Sequence, residues 1–427
     1  MNTLCLAALL AVSASAVVAQ TPAPAEAPAR LTVRRGGLPN ALAKLNAGEP
    51  VRVAYFGGSI TAAPGWRVKT LEWFRKRWPS AKVEEVNATI GGTGSDLAAY
   101  RCGQDVLSHK PDLVFVEFAV NDGGAPPEQI VRTMEGIVRQ TWRANAATDI
   151  CFVYTFVNGF EAPLQRGVCP PSASADERVA ERYGIPAINV ALRIAEMQRD
   201  DKLVMAPEFD AGGAPRPDPK GRVVFSHDRV HPLDAGHAIY AEIVQGALEE
   251  WAAGAKAKPH ALGKPMNADN WEDATLAPVQ ASMLSPGWRQ LGAGEDLAKW
   301  FGGNMPGIWE ARTPGETLTF RFRGVGAGVY DLMGPDAGRV VVTVDGKECG
   351  PISRFDVFCT YHRLANFPAA GGLAPGEHTV TVRIDAAQPD RSAVVNAERT
   401  KPGFDANRYN GTVIRAGGLL LRGKLRP

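Results

Sequence analysis

The sequence predicts an α/β fold, with a doubly wound parallel sheet, followed by an antiparallel β-sandwich. Between residues 38 and about 251, apolar β-branched runs alternate with helical patterns, which is typical of parallel strands covered by helices on both faces. From residue 317 to 421 the chain has short alternating runs separated by Gly, Pro, Asp and Asn, as in antiparallel sandwiches. The stretch 252–270, rich in Ala, Lys, Gly and Pro, has the composition of a linker.

The overall composition is that of a globular protein with two domains. The chain has 427 residues, of which 45% are hydrophobic and 22% charged, enough to bury a large core. Its net charge of +2 gives no reason to expect nucleic acid or an anionic membrane as a partner. After the N-terminus, no stretch approaches the length of a membrane span, and the sequence makes no prediction of the oligomeric state.

The N-terminus has the pattern of an export signal. Residues 4–18 are apolar and small, and Val17-Val18-Ala19 fits a cleavage site, so we expect residues 1–19 to be a signal peptide. The protein is then expected in the periplasm or outside the cell. The stretch 20–37 is predicted to be a flexible lead-in. A first domain is predicted over 38–254, a linker over 255–270 and the sandwich over 271–427.

The first strong strand of the α/β part leads directly into a serine. Residues 51–56 form a mainly apolar, β-branched run, which ends in two glycines and then Ser59. A helical pattern follows from about residue 66 to 78, so Ser59 is predicted where a strand turns into a helix. The carboxyl end of a strand in such sheets is where ligands bind. Further strands are predicted at 82–90, 112–120, 150–156 and 185–190, and helices at 95–109, 128–145, 172–183 and 232–251.

In the sandwich, strands are predicted at 317–322, 328–332, 339–344, 358–364, 378–384 and 418–421. Cys349 and Cys359 flank a turn-rich stretch there, and their spacing predicts a disulfide between two strand ends. Five cysteines follow the predicted signal peptide, so at least one has no partner within the monomer.

Four separate places in the first domain supply the groups that acyl transfer requires. Ser59 can be the nucleophile, His231 the base that takes its proton, and Asp228 the carboxylate that orients the imidazole. The backbone N–H groups of Ser59 and Gly92 and the side-chain amide of Asn121 can stabilise an oxyanion. Each candidate follows a predicted strand or precedes a predicted helix. If the strands are neighbours in one parallel sheet, all of these groups lie at one edge.

The four motifs resemble those of the SGNH, or GDSL-type, hydrolases. They are GGSIT at 57–61, NATIGG at 87–92, AVND at 119–122 and DRVH at 228–231, and the resemblance spans about residues 51–251. It implies a flavodoxin-like three-layer α/β domain. It also implies Ser59 as nucleophile, His231 as base with Asp228 as its partner, and an oxyanion hole of Ser59, Gly92 and Asn121. No metal or organic cofactor is expected.

The resemblance also suggests a substrate. The subgroup with GGSIT and an added β domain is similar to bacterial carbohydrate esterases that remove acetyl groups from polysaccharides. We therefore expect a carbohydrate O-acetylesterase that acts on an acetylated oligo- or polysaccharide. Two alternatives remain open: an esterase or thioesterase for short acyl chains, and a non-catalytic glycan-binding protein on a hydrolase scaffold. The motifs depart from the family at Gly58, where GDSL has Asp, and at Ala119, where many members have Gly; neither position carries the proton transfer.

Several residues near these motifs have two interpretations. Asp234 and His237 form a second Asp-x-x-His pair, for which a structural role inside the last helix is favoured over catalysis. His227, Asp228 and His231 could alternatively bind a metal, since histidine and carboxylate are common zinc ligands.

Three further side chains close to the motifs are also ambiguous. Trp66 and Arg67, just after the nucleophile, either contact the substrate or are a packed tryptophan and a solvated arginine. Glu117, inside a predicted strand, is expected to pair with a neighbouring base. The loop 206–222 is expected to shape the edge of the cleft.

Overall fold

The computed structural model describes residues 26–210 and 214–427. The predicted signal peptide, residues 1–19, lies outside the described residues, as does the first part of the predicted lead-in. The end of that lead-in is not a free tether: Thr32–Val33 pairs with a strand of the first domain, and the N–H of Ala29 donates to the carbonyl of Gly167 at 2.9 Å. Among the described residues, no helix combines the length and the apolar character needed to cross a membrane.

The first domain is built on a six-stranded sheet with the spatial order β1-β6-β5-β4-β2-β3. These strands are β1 (Thr32–Val33), β2 (Val51–Gly57), β3 (Val83–Asn87), β4 (Leu113–Glu117), β5 (Asp149–Val153) and β6 (Ala187–Ile188). Strands β2 to β6 pair in parallel, and β1 joins β6 in antiparallel orientation. The chain adds β3 on one side of β2 and then β4 on the other. The carboxyl ends of β2 and β4 therefore flank the topological switch point, where such sheets bind ligands.

Within the described part of this domain, nine helices accompany the strands. They are α1 (Pro39–Asn46), α2 (Ser59–Ala62), α3 (Trp66–Arg77), α4 (Ser95–Asp105), α5 (Pro127–Ala144), α6 (Glu161–Gln165), α7 (Pro171–Tyr183), α8 (Val190–Arg199) and α9 (Asp234–Ala252). One face of the sheet packs with α1, α3, α8 and α9, and the other with α4, α5 and α7. Alternation along β2 serves both faces, because Val53 and Tyr55 belong to the first core and Ala54 and Phe56 to the second. The predicted doubly wound three-layer fold is confirmed.

Apart from one short parallel pair in the first domain, the remaining described strands pair in antiparallel orientation and form the second domain. A short pair, β7 (Leu203–Val204) and β8 (Val223–Val224), lies at the base of the loop 206–222. The second domain, described over all of 271–427, has nine strands: β9 (Ala274–Pro278), β10 (Arg289–Gln290), β11 (Trp309–Ala311), β12 (Thr317–Met333), β13 (Arg339–Val344), β14 (Lys347–Ser353), β15 (Arg363–Ala370), β16 (Gly376–Ile384) and β17 (Ile414–Arg426). Two short helices, α10 (Asp296–Phe301) and α11 (Ser392–Glu398), connect them.

The strand β12 organises the second domain. Its first half pairs with β16, its second half with β15, and β17 follows its other edge, all in antiparallel orientation. The sheet encloses its own apolar core, in which Phe320, Phe322, Val342 and Leu419 are buried. This architecture fits the predicted C-terminal β-sandwich.

The predicted linker is attached to the first domain along much of its length. The ring of His260 stacks on Trp142 with centroids 4.6 Å apart, and its Nε2 lies 2.7 Å from a carboxylate oxygen of Asp149. Further along, the N–H of Asn267 donates to Glu135 at 3.0 Å. The domain boundaries 38–254, 255–270 and 271–427 stay a prediction, but the stretch between the domains is not a loose connection.

An apolar cluster joins the two domains. Ile90 and Leu97 of the first domain pack with Met305, Ile308 and Tyr330 of the second. Ile90 and Leu97 flank the glycine-rich stretch 91–94. The sandwich is therefore packed directly onto the segment that carries one of the predicted oxyanion donors.

The disulfide predicted between Cys349 and Cys359 is absent, and both residues are free thiols. The stretch 350–353 is part of β14 rather than a turn, so Cys349 lies within an exposed strand instead of at a strand end. Cys359 is buried, and its sulfur accepts the N–H of Asp356 at 3.3 Å. Cys102, Cys151 and Cys169 are also buried free thiols.

Candidate active site

Ser59 lies at the point where β2 ends and α2 begins. The two residues before Ser59 must be glycines because atoms of Glu117 and Asn121 lie too close to leave room for a side chain. A Cβ on Gly57 would lie 2.9 Å from the carbonyl oxygen of Glu117, and a Cβ on Gly58 would lie 2.0 Å from Oδ1 of Asn121. Gly58 itself has φ −87° and ψ −157°, which other residues also adopt. The pair of glycines thus brings the nucleophile turn against the ends of the neighbouring strand.

His231 and Asp228 face Ser59 from the loop before α9. Nε2 of His231 lies 2.8 Å from Oγ of Ser59, and Nδ1 lies 2.6 Å from Oδ2 of Asp228. A tight turn, in which Arg229 has φ +68°, holds the two side chains together. Oδ1 of Asp228 closes this turn by accepting the N–H groups of Val230 and His231 at 2.9 and 2.8 Å. The three predicted triad side chains therefore form one continuous hydrogen-bonded chain.

The carboxylate of Asp228 is held in its charged form. Partial burial alone would raise its pKa, but hydrogen bonds from the His231 ring, two backbone N–H groups and the hydroxyl of Ser226 outweigh burial and keep the pKa well below the usual range. An ionised Asp228 can accept the Nδ1 proton and leave Nε2 free to take a proton from Ser59. The geometry is that of a nucleophile, a base and an orienting group.

The predicted oxyanion donors surround the same serine. Gly92 is exposed with φ +72°, and a Cβ on the preceding Gly91 would lie only 3.5 Å from Cβ of Ser59. Asn121 opens the turn after β4, and its side chain lies against Gly58. The next residue, Asp122, anchors that turn by accepting the N–H of Ser95 at 2.9 Å. Backbone and amide donors thus approach Ser59 from the ends of β3 and β4, the two strands that flank β2.

Of the two interpretations of Trp66 and Arg67, contact with substrate is wrong because both side chains are buried, and for the same reason a solvated Arg67 is wrong, whereas a packed Trp66 is what the structure has. Trp66 is fully buried against Tyr55 and Phe115. Arg67 is also buried; its Nε donates to the carbonyl of Thr61 at 3.0 Å, and its guanidinium pairs with Glu85. The arginine therefore supports the end of α2, the helix that begins with Ser59.

The second Asp-x-x-His pair has a structural environment. His237 is buried, and its Nδ1 accepts the N–H of Trp66 at 3.2 Å. Burial lowers the pKa of His237 to about 4, so its ring is neutral near pH 7. Asp234 does not contact this ring through a hydrogen bond but pairs with Lys69 at 2.7 Å. His231 is thus the histidine of the two that reaches Ser59.

The alternative metal site at the same loop is not supported by the arrangement of side chains. Among residues 26–210 and 214–427, no group of three or more His, Cys, Asp or Glu side chains could hold a metal ion. The ring of His227 lies beside the exposed Phe209 of the 206–222 loop, with centroids 6.1 Å apart.

Glu117 is not paired with a base, contrary to expectation. It is the last residue of β4 and fully buried, and its carboxylate accepts the hydroxyls of Thr61 at 2.7 Å and Thr155 at 2.8 Å. Burial raises the pKa of Glu117 to about 7. The two threonines lie 56 and 38 positions from Glu117 along the chain, so no local pattern in the sequence links them to this carboxylate.

The second domain contributes side chains beside the candidate site. A cavity of about 260 Å³ is lined by Gly92 and Thr93 from the first domain and by residues of the second domain, including Arg354, Asp356, Arg363 and Asn366. No local pattern in the sequence indicates this, because it depends on how the domains pack.

Comparisons with known proteins agree with this fold. Residues 55–239 match the model of the GDSL-like lipase/acylhydrolase family. The resemblance of this part of the chain to the GDSL-type hydrolases is thereby confirmed. No curated protein matches the chain.

Two solved structures match nearly the whole chain. A two-domain esterase active on acetylated mannans, co-crystallised with mannopentaose, has 20% sequence identity and a TM-score of 0.69 over 90% of this chain and 94% of its own. A second structure described as a two-domain esterase active on acetylated mannans has 21% identity and a TM-score of 0.66 over the same shares. At this identity the similarity shows the fold, including the combination of the two domains.

Proposed function

From the family match of residues 55–239 and the geometry around Ser59, we propose that the protein is a serine ester hydrolase that removes O-acetyl groups from a saccharide. The observation that carries the proposal is the chain of hydrogen bonds from Ser59 through His231 to Asp228, at 2.8 and 2.6 Å. These distances lie within the range in which a nucleophile and its base exchange a proton.

In the first half of the proposed reaction, Oγ of Ser59 attacks the acetyl carbonyl carbon and its proton passes to Nε2 of His231. The negative charge moves to the former carbonyl oxygen, which the N–H groups of Ser59 and Gly92 and the amide of Asn121 stabilise. The bond to the sugar oxygen then breaks, and His231 returns the proton to that oxygen. The products are a free sugar hydroxyl and an acetyl group on Ser59.

In the second half, His231 takes a proton from water, whose oxygen attacks the acetyl-enzyme carbonyl. Collapse of this second tetrahedral intermediate breaks the bond to Ser59 Oγ, which receives the proton from His231. Acetate leaves and the free enzyme is restored. Asp228 stays ionised throughout and stabilises the imidazolium that forms in each half.

Two observations support a saccharide as the acetylated group. A cavity beside Gly92 is lined by polar side chains of the second domain, among them Arg363 and Asn366, which offers hydrogen-bonding groups to a substrate larger than a simple ester. The two-domain esterase that shares the whole architecture acts on acetylated mannans. Residues 1–19 have the pattern of an export signal, which accords with a polymer substrate outside the cytoplasm.

The proposal is tested by acetate release from acetylated mannan and acetylated xylan, measured beside hydrolysis of p-nitrophenyl acetate and a short acyl thioester. The wild-type protein is expected to release acetate from at least one polysaccharide, and Ser59→Ala to lower the rate by several orders of magnitude. Hydrolysis of the small esters alone would favour the short-chain esterase. Glycan binding with no hydrolysis of any substrate would favour the non-catalytic alternative.

A further inference from the structure

Glu117 ends β4, which lies between β2 and β5, and it connects the turn that carries Ser59 with the segment after β5. Its carboxylate accepts the hydroxyl of Thr61, two residues beyond Ser59 in α2, and the hydroxyl of Thr155, which follows β5. Its backbone carbonyl also accepts the N–H of Gly58 at 3.3 Å. The backbone and the side chain of Glu117 thus both hold the turn that carries Ser59.

The segment after β5, in turn, supports the loop that carries the base. The N–H of Asn158 donates to the carbonyl of Arg229 at 3.1 Å, and Arg229 lies between Asp228 and His231 in the tight turn. The N–H of Phe156 donates to the hydroxyl of Tyr240 in α9, the helix that follows this loop, at 2.9 Å. A continuous path, made of these hydrogen bonds and the short segment 155–158, therefore runs from Thr61 through Glu117 to Arg229.

Fold stability alone does not explain a carboxylate at this position. Glu117 is fully buried, and the groups around it are the two threonine hydroxyls, the acidic side chains of Asp122 and Asp176, and the phenol of Tyr240. No cation is among these described groups. An unpaired carboxylate in such a place is costly compared with an apolar or amide side chain. The two oxygens of Glu117, however, each accept one threonine hydroxyl. The ionised form has only acceptors, and the protonated form, which burial favours below about pH 7, keeps lone pairs on both oxygens, so Glu117 can receive both hydroxyls at once and fix their separation.

We propose that Glu117 is a positioning residue: by binding Thr61 and Thr155 together, it sets the placement of Ser59 relative to His231. The inference rests on the proposed function, because it concerns the geometry of that reaction. A misplacement of about 1 Å between reacting groups can lower a rate by about 100-fold. Loss of the link is therefore expected to reduce kcat much more than it changes KM.

The central experiment compares Glu117→Gln with the wild type on p-nitrophenyl acetate. In this variant one of the two side-chain oxygens becomes an NH2 group, so one threonine hydroxyl must turn from donor to acceptor and the two hydroxyls are no longer received in the same way. We expect kcat to fall at least tenfold while KM stays within twofold. An unchanged kcat in Glu117→Gln, with a lowered melting temperature, would overturn the proposal.

Glu135→Gln is the matched control for this experiment. Glu135 is also a fully buried carboxylate that accepts a hydroxyl, that of Tyr183 at 2.6 Å, but it lies on α5 away from the site. The control variant is expected to lose thermal stability and keep kcat. A fall in kcat of equal size in both variants would overturn the proposal, because loss of any buried carboxylate would then have the same effect.

A second pair of variants keeps the test decisive if Glu117→Gln does not fold. Thr61→Val and Thr155→Val each remove one end of the link, so each is expected to lower kcat, and the double variant is expected to fall no further than the worse single variant. Multiplied effects in the double variant would contradict a shared link.

The rate at which a fluorophosphonate modifies Ser59 separates this inference from the proposed function. In the wild type it reports whether Ser59 is activated; in Glu117→Gln it should fall by the same factor as kcat. A wild type that neither reacts nor hydrolyses would overturn both proposals. A reactive, active wild type whose rates are unaffected in the variants would overturn only the role of Glu117.

Discussion

At the scale of single residues, two histidines three positions after an aspartate have different surroundings. His231 has a half-exposed ring whose nitrogens reach Ser59 and Asp228, whereas His237 is buried and accepts a backbone N–H. The same four-residue pattern therefore gives one histidine that can exchange a proton with the nucleophile and another that fixes the start of α3.

The two histidines are expected to respond differently to removal. His231→Ala should lower kcat on p-nitrophenyl acetate by several orders of magnitude, because triad members act as a unit. His237→Ala should keep most of the activity and lose about 1–3 kcal/mol of stability, because a buried N–H is left without a partner. Initial rates and urea unfolding of both variants check this. A greater loss of activity in folded His237→Ala than in His231→Ala would show that the wrong base has been assigned.

Gly58 gives a second prediction at this scale. A Cβ at this position would lie 2.0 Å from Oδ1 of Asn121, so Gly58→Ala must displace the amide while the backbone keeps an allowed conformation. Since loss of one oxyanion donor costs about 10²–10³ in kcat, we expect a fall of up to that size with little change in folding. Gly123→Ala is the control, because a Cβ there meets nothing within 4 Å. Steady-state kinetics and circular dichroism measure both; equal activities would remove Asn121 from the oxyanion hole.

At the scale of elements, the sequence pattern predicted those helices and strands whose own residues favour the same structure that packing with distant residues requires. The β-branched run before Gly57-Gly58 predicted β2 and the serine turn, and the four motifs indicated which side chains meet at the switch point. The helix α8 was missed, although Asn189 caps it by accepting the N–H of Leu192 at 3.1 Å. Its apolar start reads equally well as a continuation of the strand before it, since β6 has only two residues.

Other elements could not be predicted because distant residues decide them. The predicted strands 317–322 and 328–332 are one strand, β12, whose pairing with β17 passes the glycines at 324 and 326 through a shift of register. The stretch 350–353 contains Gly350 and Pro351 but becomes a strand because β13 pairs with it. For the same reason, the polar residues of the second domain beside Gly92 could not be assigned to the site from sequence alone.

The contact between α5 and the Trp271–Asp273 turn, which joins the domains, gives a prediction at the scale of elements. A Cβ on Gly136 would lie 2.6 Å from the carbonyl carbon of Trp271, so Gly136→Ala must push this turn away. Overpacking of this kind costs about 1–3 kcal/mol, partly offset by the better helix propensity of Ala. Gly103→Ala in α4, with nothing within 4 Å of the new Cβ, should instead gain about 1 kcal/mol. Thermal unfolding of both variants checks that Gly136→Ala lowers the melting temperature and Gly103→Ala raises it. A higher melting temperature in Gly136→Ala would show that the Trp271–Asp273 turn moves away at little cost.

At the scale of the whole molecule, the two domains share an apolar cluster around the segment that carries Gly92. Ile90 and Leu97 are buried against Met305, Ile308 and Tyr330, and the residues between them reach the candidate site. A shared core makes the orientation of the domains part of the geometry of the cleft. The arrangement explains how a second domain that holds no member of the Ser59–His231–Asp228 chain can still line the cavity next to it.

Buried ionisable groups behind the site determine how the stability of the protein depends on pH. Burial raises the pKa of Glu117 and of Asp122 to about 7, and that of Asp176 well above its usual value. For such groups the folded state binds protons more tightly than the unfolded state. For Glu117 and Asp122 this stabilising contribution is complete below about pH 4 and is lost as the pH rises through about 7, and for Asp176 it is lost as the pH rises through its raised pKa. His237, whose pKa is lowered to about 4, has the opposite effect between pH 4 and 6.5.

The free energy of unfolding is therefore expected to fall as the pH rises from 5 to 7, since three buried acids outweigh one histidine. Each fully effective group changes it by about 1.4 kcal/mol per pH unit. Urea unfolding at pH 5, 6 and 7 measures this slope. Glu117→Gln and Asp122→Asn should each make the slope shallower by up to that amount, while Glu250→Gln, a change at an exposed carboxylate, should leave it unaltered. A wild-type stability that rises across this range, or variants with the wild-type slope, would mean that these acids are not protonated together in the folded protein.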